Sequence, residues 1–358
     1  MSWVDDDQDD SRTDLAPVAG PGDPRSTVDD YLGPGERRFF GQGYKRAEQR
    51  LSDISVGVRP DGKGFARGAA SVLYPADWSR KGKTDQPPHL STIDVLLIAG
   101  ELAELYLVRA LGLSPAQRSE LRLRRVRIKA GSAPVEEELA EFGVTAVIDA
   151  AERKDGAAGE HGLLVSSVDA KVGALRVRLD VEHPPGSATP PPDFAEARYA
   201  TPDDLLGPAA LRPYARLHAT KTQFVEDLTV DVPHHTAHAR TWTLSTAPAD
   251  LTPQGLESGT FRSTSLIDAF VVVLQLGQIV LYELDEVPRA ESNTMWMRQT
   301  VIEVGEPQRP LTEPGRVTVR LADLELLTTA DGETWRSADI VGALDHLAIR
   351  VSIAHRLP

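Results

Sequence analysis

The chain contains no cysteine, which excludes disulfide bonds and thiolate chemistry and is compatible with a cytosolic home. It has no excess of positive charge: 39 Lys and Arg stand against 53 Asp and Glu, a formal net charge of −14 over 358 residues. Phosphate binding depends on clustered Lys and Arg, so nucleic acid and anionic membrane are disfavoured as main partners. The start, "MSWVDDDQDDSRTD", is acidic where a secretory signal would be basic and then apolar, so no signal is expected. No run of about 18 apolar residues occurs, so no membrane span is expected. What is present is 41% hydrophobic residues, enough at this length for one or two ordinary cores. A soluble, cytoplasmic protein is the expectation.

The chain says most things twice. "DDYLGP" at 29–34 returns as "DDLLGP" at 203–208, an offset of 174 residues. In the same register "LSDISV" (51–56) meets "VEDLTV" (225–230), "STID" (91–94) meets "SLID" (265–268), and Arg124 meets Arg298. With one residue deleted "ARGAASVLYPAD" (66–77) meets "ARTWTLSTAPAD" (239–250); with two deleted "VRLDVEH" (177–183) meets "IRVSIAH" (349–355). A register held over this length points to two tandem copies of one domain, with a period far too long for a solenoid. The expected organisation is an acidic, disordered tail over 1–26, a first domain over 27–183, a Pro-rich linker over 184–199 and a second domain over 200–358.

Each copy repeats one pattern. A turn-rich lead such as "LGPGERRFFGQGYKRAEQRL" precedes one or two strands near 51–58 and 66–74, and a loop then opens a long apolar helix over 91–111. Strands follow near 120–130, 143–150, 162–168 and 174–182, with the alternation of antiparallel strands buried on one face. A helix apolar on most sides needs a sheet curled around it. The expected fold is therefore α+β, a tandem (double) hotdog in which each half wraps a curved antiparallel sheet around one long hydrophobic helix.

Both helices carry a polar line. Asp94, Glu101 and Glu104 in the first match Asp268, Gln275 and Gln278 in the second, aligned along one edge of an otherwise apolar rod. A carboxylate buried without a partner costs several kcal/mol, so the line must face a cavity, the other copy or solvent. Ser91–Asp94 and Ser265–Asp268 also fit the S-x-x-D helix cap, and capping does not exclude catalysis. Glu101 and Glu104 could instead pair with Arg122 or Arg124 at a domain seam. The change from Glu to Gln between copies points to a pocket used once. His89 precedes the first helix where the second copy has Ser263, and histidine can take and return a proton near neutral pH.

Other stretches carry less. "PHHTAH" holds His234, His235 and His238, but Pro233 and the flanking strands argue against a metal-binding helix, and no metal or cofactor is expected. The glycine-containing "GPGERRFFGQGYKR" lacks a preceding strand and is no nucleotide fingerprint; its basic face reads as a solvated turn or a dock for an acidic carrier protein. In "SNTMWMRQ", Trp296 reads as core and Arg298 as structural or substrate-binding.

At "VDDYLGPGERRFFGQGYKRAEQRLSDI", "HLSTIDVLLIAGELAELYL" and "SNTMWMRQ" the chain resembles the AvrD family, the avirulence D proteins of plant-pathogenic bacteria, from about residue 27 onward. The helix starts "HLSTID" and "SLIDAFVVVLQ" look like those of double-hotdog dehydratases, and the duplicated layout is similar to A-factor synthases. The dehydratase H-x3-G-x4-P loop has no clear counterpart here. The resemblance implies synthesis of a syringolide- or butenolide-type signal by joining a β-ketoacyl thioester to a ketose such as xylulose. The thioester would come from CoA or an acyl carrier protein. On the residues alone, His89 would be the base for a sugar hydroxyl, Glu101 the base at C-2 or the acid for water loss, and Asp268 and Gln275 would orient the ketose. Asp94, Glu104, Gln278 and Arg298 would bind substrate, and backbone N–H groups at a helix N-terminus would hold the oxyanion. A hotdog thioesterase or dehydratase, and a non-catalytic binder of acylated signals, are the alternatives.

Overall fold

The computed structural model describes residues 27–81, 84–85, 87–130, 139–149, 152–153, 162–186, 196–293, 295–306 and 308–358. The expected tail over 1–26 and residues 187–195 of the expected linker lie outside them. Two long helices dominate, α1 (Thr92–Leu111) and α2 (Leu266–Leu284). Six strands of the first copy are β1 (Glu48–Val58), β2 (Gly64–Leu73), β3 (Arg122–Lys129), β4 (Phe142–Ile148), β5 (Leu164–Val172) and β6 (Leu175–His183). Six of the second are β7 (Lys221–Asp231), β8 (Thr236–Ser245), β9 (Met295–Val304), β10 (Gly315–Thr328), β11 (Thr334–Leu344) and β12 (Leu347–Arg356).

These strands form one antiparallel sheet in the order β1-β2-β4-β5-β6-β3-β9-β12-β11-β10-β8-β7. Read from the centre outward, both halves have the same order, so the β3–β9 pairing is the seam of an internal pseudo-two-fold. Val126 faces Ile302 at this seam. The end of the expected linker is not bare connection, because Ala197–Tyr199 adds a short strand along β1.

The duplication extends to irregularities. β1 bulges between Ser52 and Ser55 and β7 between Glu226 and Thr229, with Asp53 and Asp227 at φ near +50° in the two bulges. Seam strands β3 and β9 bulge at the matched residues Arg124 and Arg298. The recurrence of that arginine therefore marks a bulge, where an extra residue bends the strand and turns its side chain away from the ladder.

Each half wraps its own helix. In α1 only Tyr106, Arg109 and Leu111 escape burial, and in α2 only Gln278, Glu283 and Leu284. The chain is thus a double hotdog. Ser91 and Ser265 cap the helices through complete capping boxes, and Gly112 in the left-handed region ends α1. By length and composition α2 is apolar enough to cross a membrane, yet the second half of the sheet covers it. Its apolarity satisfies the wrapped core.

Candidate active site: two helix seams of opposite charge

The segment leading into each copy crosses to the helix of the other. Phe40, from the first copy, packs edge-on against Phe270 of α2 at a centroid distance of 5.9 Å. Tyr214, its counterpart 174 residues on, lies directly over Gly100 of α1, where only a missing Cβ leaves room. Tyr44 and His218 are likewise counterparts, and their rings stack at 6.3 Å and 20°. The exchange places residues of both copies over each helix, which the repeat alone did not show.

At the helix starts, the two aspartates are saturated by protein donors. Asp94 Oδ2 accepts from Ser91 N (3.0 Å), Ser91 Oγ (2.5 Å) and the Tyr74 hydroxyl, and Oδ1 accepts from Gln49 Nε2 at 2.6 Å. Asp268 Oδ2 accepts from Ser265 N (2.8 Å), Ser265 Oγ (2.7 Å) and Lys221 Nζ (3.0 Å), and Oδ1 accepts from Gln223 Nε2 at 2.6 Å. Burial drives both pKa values up; at Asp94 this wins, whereas at Asp268 the Lys221 ammonium and the Ser265 donors hold the carboxyl below its ordinary value. The capping reading thus accounts for both residues.

Further along, the helices meet buried arginines rather than Arg122 or Arg124. Arg212 Nη1 donates to Glu101 Oε1 at 2.6 Å and its Nη2 pairs with Asp203 Oδ1 at 2.7 Å. Arg38 repeats this on α2: Nη1 donates to Gln275 Oε1 at 2.6 Å, and Nη2 pairs with Asp29. Gln275 Nε2 in turn donates to Val271 O at 3.1 Å. The "GPGERRFF" stretch is therefore not wholly a solvated turn, for Arg38 is 5% exposed and Arg212 1%. Arg124 instead pairs with Glu182 at 2.5 Å and with Glu306 at 3.0 Å, and Arg122 reaches Glu306 at 3.4 Å.

The α1 seam is acidic. Glu104 pairs with Arg118 at 3.1 Å. Across from it Glu257, at φ +59°, accepts from Tyr214 Oη at 3.2 Å and from Leu123 N at 3.3 Å. Burial raises the Glu101 carboxyl to about 7 against the pull of Arg212, with Glu104 adding to the rise. Burial likewise raises Glu257 to about 7 against its two hydrogen bonds. Two carboxyl groups along one seam thus have their proton affinity raised toward neutrality by burial.

The remaining sequence candidates scatter. His89 stands half-buried just before α1, its ring edge-on to Trp78 at 5.4 Å and its carbonyl accepting from Tyr74 at 3.1 Å. At a rise of ~1.5 Å per residue, Glu101 lies roughly 14 Å along the axis from Thr92, so His89 and Glu101 do not meet at one reacting atom. Gln278 is half-buried, beyond Gln275. Arg298 and Trp296 line an outer groove of about 490 Å³ with Lys129 and Ser352, on the face of the sheet away from the helices. Arg298 is exposed there and Trp296, expected in the core, is half-buried. His234 is exposed in the β7–β8 turn and pairs with Asp231 at 2.8 Å. Reading the sequence missed Arg118, Arg212, Tyr214 and Glu257. Only Arg212 left a signal, since Asp29/Arg38 and Asp203/Arg212 recur at the same nine-residue spacing in both copies.

A double hotdog with exchanged leading segments and acid–base groups buried on its central helices defines the class of this protein. Its sequence matches the Pseudomonas avirulence D protein (AvrD) family over residues 24–358, and the chain belongs to that family. No curated protein matches the sequence. Among solved structures, it is similar to the tesB protein of Mycobacterium avium subs paratuberculosis, at 9% identity over 82% of this chain and 93% of that one, with a TM-score of 0.35. It is also similar to a hot dog fold protein of Alicyclobacillus acidocaldarius, at 10% identity over 84% and 96%, with a TM-score of 0.31. The 12:0-ACP thioesterase of Umbellularia californica is 13% identical over 81% and 97%, with a TM-score of 0.33.

Proposed function

We propose that the chain is an enzyme acting on acyl thioesters, one that joins a β-ketoacyl thioester to a ketose and closes the product by condensation and loss of water. The observation that carries this reading is Glu101: a carboxyl buried between the two copies, raised to about 7, held by Arg212, and replaced by Gln275 in the other copy. Structural pairing alone gives no reason for the two copies to differ here.

The chemistry needs a group that both takes and returns a proton. After a ketose hydroxyl has displaced the thiol from the thioester, C-2 of the new ester is acidified by two carbonyls. Glu101 as carboxylate removes the C-2 proton. The carbanion adds to the ketose carbonyl, the C–C bond forms, and the resulting alkoxide takes that proton back from Glu101 as a hydroxyl. Glu101, again a carboxylate, removes the second C-2 proton and delivers it to the hydroxyl, which leaves as water as the C=C bond forms. A carboxyl near neutrality suits both directions, and acid–base catalysis of this kind contributes about 10²–10⁴-fold. Glu257, which accepts from the hydroxyl of the Tyr214 whose ring covers Gly100, is the second carboxyl of this seam with a raised proton affinity. The helix starts are closed by Asp94 and Asp268, so neither aspartate is assigned a chemical step. His89 lies too far from Glu101 to act on the adjacent carbon of the same acyl group, so it is not assigned a step.

The test is Glu101→Gln, assayed by mass spectrometry of products from a synthetic β-ketoacyl thioester and a panel of ketoses. Glutamine already sits opposite an arginine at Gln275, so the variant is expected to fold and to lose at least 10²-fold in turnover. Full turnover by the variant, or thioester consumption that proceeds equally without any ketose, would refute the reading.

A further inference from the structure

The two seams are related by the internal pseudo-two-fold, yet they carry opposite charge. Along α1, Glu101, Glu104, Glu257 and Asp203 face Arg118 and Arg212. Along α2 the matched helix positions are Gln275 and Gln278, which carry no charge; Arg38 keeps the place of Arg212, Ser292 stands where the first copy has Arg118, and two further cations are present. The Nε of Arg38 is buried without a hydrogen-bond partner. Lys81, on the loop after β2, reaches across to the second copy and donates to Ser292 Oγ and O at 3.2 Å and to Asn293 O. Arg289, beyond the end of α2, donates to Arg80 O at 2.7 Å. Among the described residues the acceptors of Lys81 and Arg289 are all neutral. Arg336 is not in surplus, since Asp285 pairs with it at 2.6 Å.

Arg38 thus has the carboxylates of Asp29 and Glu36 near it, whereas the hydrogen-bond acceptors of Lys81 and Arg289 among the described residues carry no charge, in a setting that withholds water. Burial drives Lys81 down to about 7 and Arg38 to about 10, with Arg289 adding to both depressions. A folded chain gains nothing by gathering such cations. The cost is offset when an anion arrives, because charge-assisted bonds to an oxyanion are the strong ones and Arg and Lys are its ordinary ligands.

From the seam along α2 we infer an oxyanion-binding site, in which Arg38, Lys81 and Arg289 take a phosphate dianion carried by a substrate. The dianion matches Lys81 and Arg289, the two cations of this seam whose acceptors among the described residues are neutral, and the site lies opposite the acidic seam of α1. The phosphate belongs either to the pantetheine arm of the thioester or to a phosphorylated ketose. Its assignment to a substrate rests on the proposed reaction, whereas binding of phosphate itself does not, so the two readings fail separately.

Inorganic phosphate is titrated into the full chain at constant ionic strength, with chloride as the balancing anion, and the melting temperature is followed. A saturable rise is expected for the wild type and for Glu101→Gln, and its loss in Lys81→Met and Arg289→Gln. Because those two substitutions remove cations whose acceptors among the described residues are all neutral, the variants are expected to fold. No phosphate-specific rise in the wild type, or an undiminished rise in the Lys81→Met/Arg289→Gln double variant, overturns the site. KM is then compared for pantetheine and phosphopantetheine thioesters, and for free and phosphorylated ketose. The phosphate that the site takes lowers KM by about tenfold in the wild type and not in Lys81→Met. If neither phosphate lowers KM, the substrate assignment falls.

Discussion

Arg212 reaches from the second copy to within 2.6 Å of Glu101 on the helix of the first, and is itself 1% exposed. The contact holds the exchanged segment in place and also opposes the rise in proton affinity that burial imposes on the carboxyl. Arg212→Met removes a cation that stabilises the carboxylate form. The limb of the pH–rate profile that reports Glu101 ionisation should therefore move to higher pH. Stability should follow the same sign. With Arg212 gone, a charged Glu101 stands unpaired, a loss of roughly 3 kcal/mol at about pH 8, and less in mild acid where the carboxyl is neutral. Urea unfolding at the two pH values checks the second expectation and initial rates check the first.

The two capping aspartates give opposite pH signatures. Asp268→Asn strands Lys221, which is 2% exposed, and should cost about 3–5 kcal/mol. Asp94→Asn strands no cation, because Gln49, Tyr74 and Ser91 are all neutral, and should cost about 1 kcal/mol. Asp268 has its pKa held low, so its contribution is present above the ordinary carboxyl value and lost as pH falls through the folded value. Asp94 has its pKa raised, so its contribution is present in acid and lost as pH rises through the folded value. The deficit of Asp268→Asn should shrink toward acid and that of Asp94→Asn should shrink toward neutrality. Paired melts at several pH values check both.

What the sequence revealed and what it hid divides along physical lines. Strand alternation, the apolar helices and the 174-residue register depend on local composition and on copy-to-copy likeness, and they led to the double hotdog. The polar line on the helices was legible because a carboxylate within an apolar run is locally anomalous. Its partners were not. Arg212 is 111 residues from Glu101 and Glu257 is 134 from Leu123, and no local rule links them. A repeat shows which segments correspond, not whose helix each one covers. The basic "GPGERRFF" stretch therefore read as a solvated turn, although Arg38 goes inside to Gln275. The match of Arg298 with Arg124 has a structural basis in a shared bulge, in line with the structural reading of both.

Glu257 offers a test of the acidic seam that needs no substrate. Its folded pKa of about 7 lies above the ordinary 4.5. A raised value means that stability is fully present below the ordinary pKa and falls as pH rises through the folded one. Glu257→Gln removes this burden while keeping an acceptor for Tyr214 or Leu123. Relative to the wild type, the variant should gain up to about 3 kcal/mol between pH 4.5 and about pH 8. Denaturant midpoints measured across that range check it, and parallel curves for the two proteins would show that Glu257 is not held protonated by burial.

Gly100 tests the exchanged ring. A Cβ built there would lie 2.5 Å from Tyr214 Cδ1 and 3.2 Å from Cε1 and Cγ, and the ring is held in a buried setting that cannot easily yield. Gly100→Ala should cost about 1–3 kcal/mol through overpacking, in a helix interior where alanine is otherwise favoured over glycine by up to about 1 kcal/mol. Moving the ring also pulls the Tyr214 hydroxyl from Glu257, which loses a donor to its charged form. The sign should therefore reverse once the ring is gone: in a Tyr214→Leu background Gly100→Ala becomes neutral or stabilising. A double-mutant cycle of unfolding free energies measures this, with a coupling of at least 1 kcal/mol expected between residues in contact. Additive effects of the two substitutions would mean that Tyr214 does not rest on Gly100, and that the second copy does not cover α1 as described.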